Sequence, residues 1–293
     1  MRFTEIGQQL RAYRLESGLR AEEIAARLGV SRAALYRYEK GEVIKLDTVK
    51  RLAELLKISP LSLLGIGVEY YNRPVGYFER VRQTEETADQ ILQVFGPLCY
   101  LTTSDAYDAV LAEAYDESLE QSEPDRASLR ASIEQVQGIM AARKRMYGMR
   151  RPSIIAIISV ASIQRLLDHG IANSIVLPDH LRRRCRQVAA VEIENIANMM
   201  EAEPMGLQFG VLPNAEPTSS FKILRARDRA TLAINPFHAD GMPTVQTGVA
   251  MITGADEAIA THQRVAESMW REALKGAAGA SQIRRMLQPA RAA

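Results

Sequence analysis

Cysteine is nearly absent, with only Cys99 and Cys185 in 293 residues. Two cysteines make no disulfide framework, and a reduced, cytosolic setting is the expectation. Histidine is almost as sparse. His169, His180, His238 and His262 show neither the HExxH spacing nor paired Cys/His spacing, so no metal site is expected. No lysine stands two residues after any of them, which excludes a His-x-Lys nucleophile. The chain also lacks a G-x-S-x-G elbow, a P-loop and a G-x-G-x-x-G loop. No run of eighteen apolar residues occurs, and no signal-peptide pattern opens the chain. A soluble cytoplasmic protein without membrane contact, cofactor or catalytic centre is the expectation.

What is present suits a globular protein: 47% apolar and 25% charged residues. The length accommodates a head of about 65 residues and one larger body. The net charge of +2 is unevenly placed. Residues 1–66 hold twelve Lys/Arg against eight Asp/Glu, a balance of +4 that leaves −2 for the rest. A basic head on a near-neutral body fits a polyanionic partner.

The most informative stretch is RAEEIAARLGVSRAALYRYEK, residues 20–40. Ile24, Ala25 and Leu28 make an apolar face at helical spacing, and Gly29 stands where a left-handed cap ends a helix. Val30 plugs the turn. Ser31 is a good N-cap for a second helix that buries Ala34 and Leu35. Two short helices packed about a Gly-containing turn make a corner whose second helix can enter the DNA major groove. Its outward residues would be Arg32, Ala33, Tyr36, Arg37 and Lys40. Arginine can fork onto guanine O6 and N7, a methyl can meet the thymine methyl, and lysine or tyrosine can hold phosphate. A helical hairpin with a merely solvated basic face is the alternative.

Over roughly residues 4–65 the chain resembles the Cro/C1-type (XRE family) helix-turn-helix regulators. The matching stretches are IGQQLRAYRLESGL (6–19), EEIAARLGVSRAALYRYEKG (22–41) and LDTVKRLAELLKIS (46–59). The resemblance implies a five-helix head that binds double-stranded DNA through Ser31, Arg32, Ala33, Tyr36, Arg37 and Lys40. It also implies that Arg14 of the first helix pairs with Glu39 at the end of the recognition helix. The family's usual Ser/Thr N-cap and following glutamine are replaced by Arg20 and Ala21. The glutamine's contact therefore does not carry over, and Arg20 is the candidate for a phosphate contact in its place.

Beyond the head, Tyr70, Tyr71, Tyr77 and Phe78 gather aromatics near the junction, as packing between head and body or as a ligand cage. Ala88, Ile91, Leu92 and Phe95 read as one helical face, broken by Gly96-Pro97. Residues 104–126 carry eight carboxylates, Glu123 and Asp125 among them, on a helix with Tyr107, Val110, Leu111 and Tyr115 inward. Leu129, Ile133, Val136 and Met140 form a heptad-like seam, suited equally to burial in the protomer or to a dimer interface.

The pattern changes after Arg150-Arg151-Pro152. SIIAIISV (153–160) is a β-branched run of the kind found in buried strands. Helices follow to His169 and from Asp179 to Glu201. Further strands are expected at 205–213, 220–226, 230–237 and 244–252, then a helix at 255–274 and a last turn or two in SQIRRMLQ. Arg182, Arg183, Arg184 and Arg186 are the densest basic run of the body, a solvated helix end or an anion contact. SVASIQRLLDHG (159–170), FGVLPN (209–214), SFKILRA (220–226) and ITGADEAIATHQRVAESMWREAL (252–274) weakly resemble the effector domain, of unassigned activity, behind Cro/C1-type heads of actinomycete regulators.

The expected fold is mainly α with an α+β C-terminal domain, an antiparallel or mixed sheet backed by helices. Three regions are expected: a DNA-binding head (1–67), a helical connector and possible dimerisation region (68–149), and an effector-sensing or assembly domain (150–293). The expected function is that of a sequence-specific transcriptional regulator, a homodimer with a possible small-molecule effector. An enzyme with a DNA-targeting head and an antitoxin-like protein that neutralises a partner are the alternatives. Met199, Met200, Met205, Phe209, Phe237, Met251 and Trp270 are side chains suited to lining an effector cavity, or simply to filling the core.

Overall fold

The computed structural model describes residues 3–94, 96–120, 126–237 and 248–290. Five helices form the head: α1 (Phe3–Ser17), α2 (Ala21–Leu28), α3 (Arg32–Glu39), α4 (Leu46–Leu56) and α5 (Pro60–Leu63). Leu10, Ile24, Leu35, Leu52 and Leu63, one from each helix, are fully buried at its centre.

The body is a mixed sheet of the order β1-β7-β6-β5-β2-β3-β4. Its strands are β1 (Val68–Tyr71), β2 (Gln90–Val94), β3 (Ser153–Ser159), β4 (Leu207–Leu212), β5 (Phe221–Arg225), β6 (Ala230–Ile234) and β7 (Ala250–Thr253). The helices α6 (Pro74–Glu85), α7 (Asp105–Glu120), α8 (Arg126–Arg150), α9 (Val160–His169), α10 (Asp179–Ala202), α11 (Asp256–Glu272) and α12 (Gly276–Ala290) cover it. β2, β3 and β4 are mutually parallel, because α7–α8 and α9–α10 carry the chain back between them. β5, β6, β7 and β1 are antiparallel to their neighbours.

Strand alternation splits the core. Ile91, Ile154, Ala156 and Ile158 face the main helical layer, while Leu92, Val94 and Ile157 face the layer that contains α11. β2 and β3 are thus apolar on both faces. That corrects the helix expected across Ala88, Ile91, Leu92 and Phe95, which is strand β2 from Gln90 on; Phe95 lies outside the described residues. A doubly buried strand can place apolar residues at helical intervals by chance, since it has no polar face to show its period of two. The region 68–149, read as a helical connector, contributes both β1 and β2 to the sheet of the body. His238, Glu123, Asp125 and the first part of the strand expected at 244–252 lie outside the described residues. α12 is four turns long where one or two were expected.

Two further sequence patterns find partners within the chain. Leu129, Ile133, Val136 and Met140 of α8 are all buried in the protomer, so the seam is filled from inside. Carboxylates of acidic α7 meet cations of neighbouring helices: Asp108 lies 2.5 Å from Lys144 of α8, and Glu113 accepts from Arg184 of α10.

The head does not hang free. α1 lies along α6 and the end of β1, where Tyr13 stacks on Tyr71 with ring centroids 5.3 Å apart. Glu69 of β1 is the hub of this joint. It accepts from Gln9 of α1 (2.5 Å), from Tyr71 (2.6 Å) and from both forks of Arg80 in α6. Glu16 accepts from the backbone N–H groups of Asn72 and Arg73, and Arg11 pairs with the buried Glu79 at 2.7 Å. Only glycine permits the closest approach. A Cβ on Gly76 of α6 would stand 2.8 Å from the Glu16 Cβ.

Candidate nucleic-acid interface

The α2–α3 corner follows from its turn chemistry. Gly29 takes φ 70°, in the left-handed region, and the Val30 N–H bonds back to the Ala25 carbonyl at 3.0 Å, closing the end of α2. Ser31 then caps α3, its Oγ accepting from the Ala34 N–H at 3.1 Å. At the start of α2 the Arg20 side chain caps nothing and is exposed; the Glu23 carboxylate accepts from the Arg20 N–H at 2.8 Å. The lack of a Ser/Thr cap at this position is thus half offset by a glutamate reaching back.

α3 turns Ala34, Leu35 and Glu39 inward and leaves Arg32, Ala33, Arg37 and Lys40 exposed, with Tyr36 half-buried between them. Arg20 and Ser31 are exposed at the same corner. Every member of the sequence-derived contact set is therefore exposed or half-buried. Arg14 and Glu39 meet beneath this set, with Nε to Oε1 at 2.5 Å and Nη2 to Oε2 at 3.0 Å. Burial opposes the Arg14 charge, but the Glu39 bonds outweigh it and hold the guanidinium above its ordinary pKa.

Two acidic residues at this surface escaped the sequence reading. Glu22 of α2 pairs with Arg32 at 2.7 Å, and Glu42 after α3 pairs with Arg37 at 2.7 Å. Arg32 also lies 5.3 Å from the Tyr36 ring centre and donates to its hydroxyl at 3.3 Å. Both arginines thus face solvent with a carboxylate already in hand. Glu42 follows Arg37 by five residues across a helix end, an interval that helical periodicity does not flag.

In the body, Met199, Met200, Met205, Phe209 and Trp270 line a cavity of about 280 Å³, whose Met205 is fully exposed. Phe237 instead lines a larger cavity of about 620 Å³, and Met251 lines neither. Among the described residues no cluster of three His, Cys, Asp or Glu is placed to hold a metal. No helix of the described residues is long and apolar enough to cross a membrane.

Comparison with known proteins agrees with the head. A family model described as a helix-turn-helix domain matches residues 5–63. The chain therefore carries an N-terminal helix-turn-helix domain in front of a mixed sheet backed by helices. No curated protein shows a significant match. Among solved structures the chain is similar to that of TrmBL2, an archaeal chromatin protein with a novel mode of DNA binding. That likeness has 12% identity and a TM-score of 0.33, over 78% of this chain and 61% of that one. The chain thus spans less than two thirds of that protein, and a likeness this low carries no argument.

Proposed function

We propose that the protein is a sequence-specific DNA-binding transcriptional regulator of the Cro/C1 type. It acts in the cytoplasm as a homodimer, and its body senses a ligand rather than catalysing a reaction. The observation that carries this reading is the α3 surface: a Ser31-capped helix with Arg32, Ala33, Arg37 and Lys40 outward over a closed apolar core. Side chains near the N-terminus of such a helix reach base edges, and those further along meet phosphate. One short helix reads only a few base pairs, so two heads about 34 Å apart, on adjacent major grooves, give a usable operator.

The test is selection of binding sites from randomised duplexes with the full chain, followed by footprinting. The expected product is a two-fold symmetric site with half-sites about one helical turn apart. Retention of DNA without enrichment of any sequence would sink the reading.

A further inference from the structure

The larger cavity lies at the C-terminal ends of β2 and β3, where α6, α8, α9 and the β4–β5 loop converge. Its volume of about 620 Å³ is that of a small-molecule site. Rings line much of it. Tyr77 meets Phe78 and Phe237 edge-on, with centroids 5.5 and 5.8 Å apart, and Tyr100 and Tyr107 belong to the same wall.

Charge in this wall is unbalanced. Arg143 of α8 forks onto Glu85 of α6 with two bonds of 2.8 Å, and both groups are fully enclosed. Lys222 of β5 reaches the same carboxylate at a longer 3.4 Å. Two cations therefore share one buried carboxylate, and burial, aided by the nearby Arg143 charge, pushes the Lys222 amine below its usual pKa against the opposing pull of Glu85. A second observation is independent of charge. The Tyr77 hydroxyl, on a side chain 1% exposed, lines the cavity without a hydrogen-bond partner among the described residues.

We propose that this cavity binds a small organic monoanion, a carboxylate on a flat aromatic body. Lys222 meets the carboxylate, Tyr77 adds a hydroxyl, and the rings pack the body of the ligand. A phosphate ester fits less well. The N-terminus of α9, where a parallel sheet commonly holds phosphate, is closed by its own serines: Ser159 Oγ accepts from the Ser162 N–H at 3.1 Å, and Ser162 Oγ from the Ser159 N–H at 3.3 Å.

Occupancy would be felt at the head. α6 faces the cavity with Tyr77 and Phe78, and holds α1 directly through Glu79 and, by way of Glu69, through Arg80. α1 in turn holds α3 through Arg14 and Glu39. This coupling rests on the DNA-binding reading, whereas the binding site does not.

The test is calorimetric titration of the full chain with benzoate, 1-naphthoate and indole-3-acetate, against their primary amides and inorganic phosphate. At least one carboxylate should bind saturably, and its amide at least tenfold more weakly. Lys222→Met should abolish the preference for the acid. Thr218→Trp, at the rim, should block entry without changing the melting temperature, which covers the case in which Lys222→Met fails to fold. The proposal is overturned if no carboxylate binds, if amides bind as well, or if phosphate competes. Operator affinity measured on the same samples separates the two readings. Binding of an acid with no effect on operator affinity keeps the site and removes the coupling; operator binding with no acid bound removes the site and its coupling and leaves the DNA-binding reading standing.

Discussion

Arg14 of α1 and Glu39 at the end of α3 form a two-pronged pair, 2.5 and 3.0 Å long, that is 13% and 4% exposed at its two side chains. The pair sits directly under the helix that presents Arg32 and Arg37. It ties the first helix to the last turn of α3. Removing one partner strands the other in a dry site, so Arg14→Ala should cost about 3 kcal/mol of stability. Denaturant titration of the variant checks this; a loss below about 1 kcal/mol would mean water reaches the pair.

Arg32→Ala and Arg37→Ala should each weaken operator binding on the order of ten- to hundred-fold per half-site. Their ion pairs are exposed, so thermal melting should not change measurably. Footprints at wild-type concentration from either variant would show that another surface reads the DNA.

Under the proposed DNA contact, Glu22 and Glu42, which pair with those same arginines, would compete with the nucleic acid for them. Glu22→Gln and Glu42→Gln free a cation and remove an anion close to where phosphate would lie. Operator affinity should rise several-fold at low salt, with a smaller gain at high salt as screening shortens. A fall in affinity would show that the carboxylates position the arginines rather than occupy them.

Burial favours the neutral form of Glu85, yet Arg143 and Lys222 outweigh it and hold the carboxylate below its ordinary value of 4.5. Folding thus favours its ionised form. That stability is fully present above about pH 4.5 and is lost as pH falls through the lower folded value. Glu85→Gln should therefore cost about 3–5 kcal/mol at neutral pH, leaving the buried Arg143 without its carboxylate. The gap to wild type should narrow as both are acidified, in denaturation curves at stepped pH. An unchanged gap would place the acid sensitivity elsewhere.

Glu69 joins head and body by accepting from Gln9, Tyr71 and Arg80. Glu69→Ala should loosen the joint and let the already exposed segment Gly65-Ile66-Gly67 unfold into a protease site, seen as early release of a fragment of about head size. Cleavage at the wild-type rate would mean that the Tyr13–Tyr71 stack alone suffices.

The head was legible in the sequence because its signals are local. Gly29, Ser31 and the spacing of Ile24, Leu28, Ala34 and Leu35 fix the corner within a dozen residues. Strands β3, β5 and β6 were legible as short apolar runs. β2 was not, since a doubly buried strand has no alternation and Ala88, Ile91 and Leu92 happened to fit a helix. β1 was hidden by Glu69, a charged residue whose buried place makes sense only with Arg80 and Gln9 around it. The larger cavity was legible only in fragments, Tyr77 and Phe78 as a candidate cage and Phe237 as a candidate lining residue, never as one site. Its residues come from segments as far apart as Tyr77 and Phe237, and Lys222 and Glu85 are ordinary charges until the fold brings them together. The cluster of methionines suggested a different and smaller hollow.

The packing of Glu16 against Gly76, with Tyr13 on Tyr71, seats the head directly on α6 and β1 in place of a slack linker. Regulators with loosely strung reading heads can tolerate operators whose halves are moved apart, because the linker absorbs the change. In a two-fold assembly of this chain the separation of the halves would be cut into the protein itself. Inserting about five base pairs would turn one half to the far side of the duplex, beyond the reach of a head that cannot follow. Spacing would then be read as strictly as sequence.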